Sequence, residues 1–151
     1  MWLQPVDVSR ITRGVETMLR ADVRLSDVTI TRSEEITRDP SQCPWIGIYR
    51  AGIKYPPRVL GLGQGFREQR CELVLLIQQA DGSGGAECEI ALEKLVQDVL
   101  SAFLSDPTLG GTVNGFDEVE IRYPDYQRTA DAYMQTAALY FTALGGISVS
   151  Q

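Results

Sequence analysis

The chain has 151 residues, 44% hydrophobic and 23% charged, with a formal net charge of −6. A chain of this length fits one domain, which buries ~68–70% of its unfolded surface without staples. Acidic residues outnumber basic ones, 20 to 14, which opposes general phosphate binding because affinity for nucleic acid rests on Lys and Arg neutralising phosphates. Histidine is absent, and with it go Ser-His-Asp and Cys-His catalysis, imidazole metal sites and the usual near-neutral acid–base group.

The N-terminal Met1-Trp-Leu-Gln-Pro-Val-Asp7 lacks the basic region, apolar run and small-residue cleavage site of a signal peptide. The expectation is a protein that stays in the cytosol where it is made. Asp7 can cap a first helix running to about Ala21, with Val8, Ile11, Val15, Met18 and Leu19 on one face and Gly14 weakening it. A strand is predicted around Val28–Ser33, where Val28 and Ile30 alternate with Thr29 and Thr31. Asp39-Pro-Ser-Gln then punctuates the chain. A second strand near Pro44–Arg50 has Trp45, Gly47 and Tyr49 on one face and Ile46 and Ile48 on the other, a pattern of burial on both sides.

The segment Ala51–Gly65 has Gly52, Pro56-Pro57, Gly61, Gly63 and Gly65 spaced too densely for a helix and too unevenly for a strand interior. It is expected as a projecting loop or loose hairpin. The third strand, Phe66–Gln79, alternates Cys71, Leu73, Leu75 and Ile77 against Glu72, Val74, Leu76 and Gln78, and Asp81-Gly-Ser-Gly-Gly85 ends it in a turn. A second amphipathic helix, Glu87–Leu104, carries Leu92, Leu95, Val96 and Val99 on its apolar stripe. Pro107 and the glycines of Asp106-Pro-Thr-Leu-Gly-Gly111 stop it and turn the chain.

Two more alternating strands follow, Phe116–Tyr123 and Ala132–Leu144, separated by Pro124–Asp131. The last is too long and too apolar for a simple surface edge, and the face of it not used by a one-sided core needs a partner. Residues 145–151 are expected as a C-terminal arm or a frayed end. The sequence therefore predicts one α+β domain over residues 1–151, a mostly antiparallel sheet with two main helices packed on it, in the order α-β-β-β-α-β-β.

No constellation of these residues carries catalysis. Gly61-Leu-Gly-Gln-Gly65 looks superficially like a phosphate loop, but a strand follows it where a helix is required, and no Gly-Lys-Ser/Thr triplet exists. Asp81-Gly-Ser-Gly-Gly85 with Glu87 and Glu89 matches no spaced calcium loop. Glu118 and Glu120 share one face of a strand and read as its solvent side. Cys43, Cys71 and Cys88 lack a Cys-x-x-Cys spacing, so neither a disulfide framework nor a zinc knuckle is indicated, and Cys71 reads as a small core residue. Arg20/Arg24 and Arg67/Arg70 read as solvated or salt-bridged. No cofactor, metal or membrane partner is expected, and no stretch approaches the ~20 consecutive apolar residues of a membrane-spanning helix.

Taken in order, the Val8–Ala21 helix, the Arg70–Gln79 strand, Asp81-Gly-Ser-Gly-Gly-Ala86, the Glu87–Leu104 helix with Asp106-Pro-Thr-Leu-Gly-Gly-Thr-Val113, and Met134-Gln-Thr-Ala-Ala-Leu-Tyr-Phe141 resemble the tail terminator, or tail-to-head joining, proteins of long-tailed bacteriophages. The resemblance covers nearly the whole chain and contains no catalytic motif. It implies a virion protein, assembled in the host cytoplasm, that forms a hexameric ring on the last ring of the tail tube, stops polymerisation and meets the head connector around a DNA channel. On that reading Asp81, Glu87 and Glu89 are candidates for an acidic lumen along which DNA slides without binding. Tyr55, Leu60, Leu62, Tyr133, Leu139 and Phe141 are candidates for contacts between subunits or with the tube. The alternatives are another head–tail adaptor or tail completion protein or, from a different class, a small acidic ligand-binding domain or enzyme.

Overall fold

The structure is a computed structural model that describes residues 7–32, 43–54, 67–81, 84–113, 115–123, 127–128 and 133–147. Helix α1, Val8–Ala21, begins where the Asp7 carboxylate accepts a hydrogen bond from the Arg10 amide at 3.1 Å, satisfying one of the donors that a helix start leaves open. Its buried side is Ile11, Val15, Met18 and Leu19. Asp22 ends the helix and starts a 3₁₀ turn, Val23–Leu25, by accepting from the Arg24 amide at 2.9 Å. The Arg24 guanidinium beside it, chiefly through the side-chain hydrogen bond, holds the Asp22 carboxyl below the usual carboxylate range.

One sheet follows, built from β1 (Thr29–Arg32), β2 (Trp45–Lys54), β3 (Arg67–Asp81), β4 (Gly115–Arg122), β5 (Gln127–Arg128) and β6 (Tyr133–Ile147). Its order is β1-β2-β3-β6-β4, with β5 also pairing β6. β1 runs parallel to β2, and the other pairs are antiparallel. Helix α2, Gly85–Ser105, interrupts the strands between β3 and β4. The α+β class and the predicted element order hold, with β5 as the addition. Two residues carry no readable alternation, and β5 exists only because the chain lies beside Tyr133 and Met134.

Two boundaries move. β2 continues through Ala51–Lys54, the first part of the segment expected to be a loop, because a register shift between Arg50 and Gly52 breaks its alternation without ending its pairing to β3. Gly145, Gly146 and Ile147 extend β6 beside Gln69, Glu68 and Arg67, so the strand takes the first residues assigned to a terminal arm. The remainder of both segments, 55–65 and 148–151, lies outside the described residues.

The long strands expected to be internal are internal: β6 lies between β3 and β4, and β2 between β1 and β3. Cys71, Leu73, Leu75 and Ile77 of β3 and Ala137, Leu139, Phe141 and Ala143 of β6 are buried in one cluster with Leu92, Leu95, Val96 and Val99 of α2. Each fully buried leucine or isoleucine contributes about 1.5–3 kcal/mol of transfer free energy. Burial, with a smaller effect from Glu72, pushes the Cys71 thiol up to about 11, so it stays protonated and behaves as a core hydrophobe.

The first half of β2 is buried on both sides, as its composition predicts. Trp45 is fully enclosed and its Nε1 donates to Thr31 Oγ1 across the parallel pair at 2.9 Å. The ring lies over Gly47, where an added Cβ would stand 2.5 Å from Trp45 Cζ2 and 2.8 Å from Tyr49 Cε2. Gly47→Ala is therefore expected to destabilise the protein by about 1–3 kcal/mol, the usual range for overpacking, read as a lower midpoint with unchanged slope in denaturant unfolding.

Candidate assembly surface

The helix layer is narrower than the sheet. α1 packs on β1 and β2, and α2 on β3 and β6, leaving β4 beyond the reach of either helix except at the end of α2. At that end Phe103 of α2, Phe116 of β4 and Phe141 of β6 meet edge to face, with centroids 5.0, 5.0 and 5.3 Å apart. This geometry adds to the burial of the rings. Asp106 then closes α2, its Oδ1 accepting from the Gly110 amide at 2.9 Å, while Leu109, Gly110 and Gly111 take positive φ and return the chain toward β4.

Between α2 and β4 lies an open slot of ≈ 340 Å³ walled by Leu100, Phe103, Leu104, Pro107, Phe116 and Val119. Leu139 and Phe141 form its floor. A bulge in β4 makes the wall. Phe116 stands opposite Ala143 and Val119 opposite Phe141, so three steps along β4 match two along β6. The extra residue sets Phe116, Val119 and Ile121 all toward the helix side, although their spacing is not period 2. Leu104 is 81% exposed and Val119 51% exposed at the slot's mouth.

The opposite face of the sheet is polar and ion-paired near β4. Arg70 meets Asp117 at 2.7 Å, Lys54 meets Glu72 at 2.9 Å, and Arg122 meets Glu120 at 2.8 Å while lying 5.1 Å from the Tyr140 ring centroid. Exposed pairs of this kind are worth little to stability. Farther along this face, Gln78 and Met134 are buried, and Gln78 donates to Thr136 Oγ1 at 3.2 Å.

Of the residues expected at an interface, Leu139 and Phe141 are 1% and 3% exposed. Their register aims them at α2, so they fill the chain's own core and reach the slot as its floor. Tyr133 stands opposite Asp81 and Arg128 at the start of β6, and Tyr55, Leu60 and Leu62 lie outside the described residues. Leu104 and Val119, exposed at the slot's mouth, are not among those candidates. Leu104 reads as the fading end of a helix, but the Phe116, Val119, Ile121 spacing of three then two is a legible sign of the bulge.

Glu87 and Glu89 lie in the first turns of α2, which follows the end of β3 at Asp81. Asp81 closes β3 and α2 starts a few residues later, its first turn held there by Gln135 Nε2 donating to the Gly85 carbonyl at 3.4 Å and by Cys88 Sγ donating to the Gln79 carbonyl at 3.4 Å. Glu87 and Glu89 are exposed. Among the described residues, no group of three or more Cys, Asp or Glu is placed to hold a metal ion, and no helix is long and apolar enough to cross a membrane.

Among the described residues these elements define a two-layer α+β fold with an open apolar slot along a sheet edge. The sequence matches no family model and no curated protein. The fold is that of a solved sheath/tube terminator of an extracellular contractile injection system, PVC, in its extended state: the TM-score is 0.53 at 12% identity, over 99% of this chain and 59% of that one. This chain thus spans less than two thirds of that protein's length. A chain of a native gene transfer agent virion aligns at a TM-score of 0.43 and 13% identity, over 92% of this chain and 95% of that one.

Phe141→Ala is expected to cost about 3–5 kcal/mol in denaturant unfolding, since it empties the aromatic cluster. Leu104→Ser, at the open mouth of the same slot, should change stability by no more than about 0.5 kcal/mol.

Proposed function

We propose that this chain is a tail terminator of a long-tailed bacteriophage, a structural virion protein that closes the end of a tail tube. The observation that carries the reading is a fold match running over 99% of the chain to a protein described as a sheath/tube terminator. In this reading six copies form a ring on the last tube ring. The face turned toward the tube imitates a tube subunit and the other face does not, so no further ring adds, and that second face meets the head connector. Termination on these terms needs binding surfaces and no bond-making chemistry. Heterologous contacts that close by rotation make the ring, and buried apolar area drives them at ~25 cal/mol per Å² before association costs are subtracted.

The net charge of −6, to which Asp81, Glu87 and Glu89 contribute, supports a channel along which DNA moves without sticking. The ring assembles in the host cytoplasm and stays in the neck of the virion.

Purified protein added to tail tubes growing in vitro is expected to halt elongation and to appear in electron micrographs as a six-fold cap on one end. Tubes that lengthen at the same rate with and without it would exclude the terminator role. Replacing Asp81, Glu87 and Glu89 by lysine is expected to leave capping intact and to lower DNA delivery by the finished particles. Delivery at the level of the unmodified protein would remove these three residues from the channel.

A further inference from the structure

We draw no further inference here: the strongest candidate, the open apolar slot between the end of α2 and β4, carries none because nothing in the structure shows what covers it.

Discussion

Two helices cannot roof five strands. A helix is about 10 Å across with its side chains, and strands are about 4.8 Å apart, so each helix covers two strands and the fifth is left bare. Here α1 takes β1 and β2, α2 takes β3 and β6, and β4 is the remainder. Most of what distinguishes this surface follows from that width mismatch. β4 must still face Leu139 and Phe141 on its neighbour, so it carries Phe116, Val119 and Ile121 toward a helix layer that reaches it only at the end of α2.

The bulge in β4 is how the chain tolerates the exposure. An exposed, regular edge strand with an apolar face is a template for uncontrolled pairing, and a bulge that twists and interrupts the ladder blunts it. Asp117 and Glu118 occupy the extra step, so the edge is charged where it is irregular. The opposite edge is blunted differently: β1 is only four residues long, and Arg20 takes the Ile30 carbonyl. Both edges resist strand addition, while the side chains along them keep apolar and charged groups available to a partner of defined shape.

Much of the fold is legible in the sequence because period and capping are local. Asp7 marks the start of α1 to the residue, and the alternation of Cys71, Leu73, Leu75 and Ile77 gives both the strand and its buried face. What escapes local reading depends on neighbours. β5 is created by β6, the continuation of β2 past Arg50 is held by β3, and the parallel start of the sheet joins strands whose patterns do not state their direction. The surface is less legible for a related reason. Leu139 and Phe141 have the same composition cues as an interface, and only the register of β6 against β3 and β4 assigns them inward. Aromatic residues on a long strand signal burial, but not whether the burying partner is the chain itself or another copy.

β6 also has a mechanical meaning. It is paired along nearly its whole length, with β3 on one side and with β4 and β5 on the other. In antiparallel ladders the hydrogen bonds lie perpendicular to the strands, so a pull along the axis of β6 loads those bonds in shear and all at once. A pull on β1 across the sheet would instead open its short ladder one bond at a time. The molecule is thus stiff along one axis and compliant along another, and the stiff axis is the one that runs from the Asp81 end of the sheet to the Arg67 end.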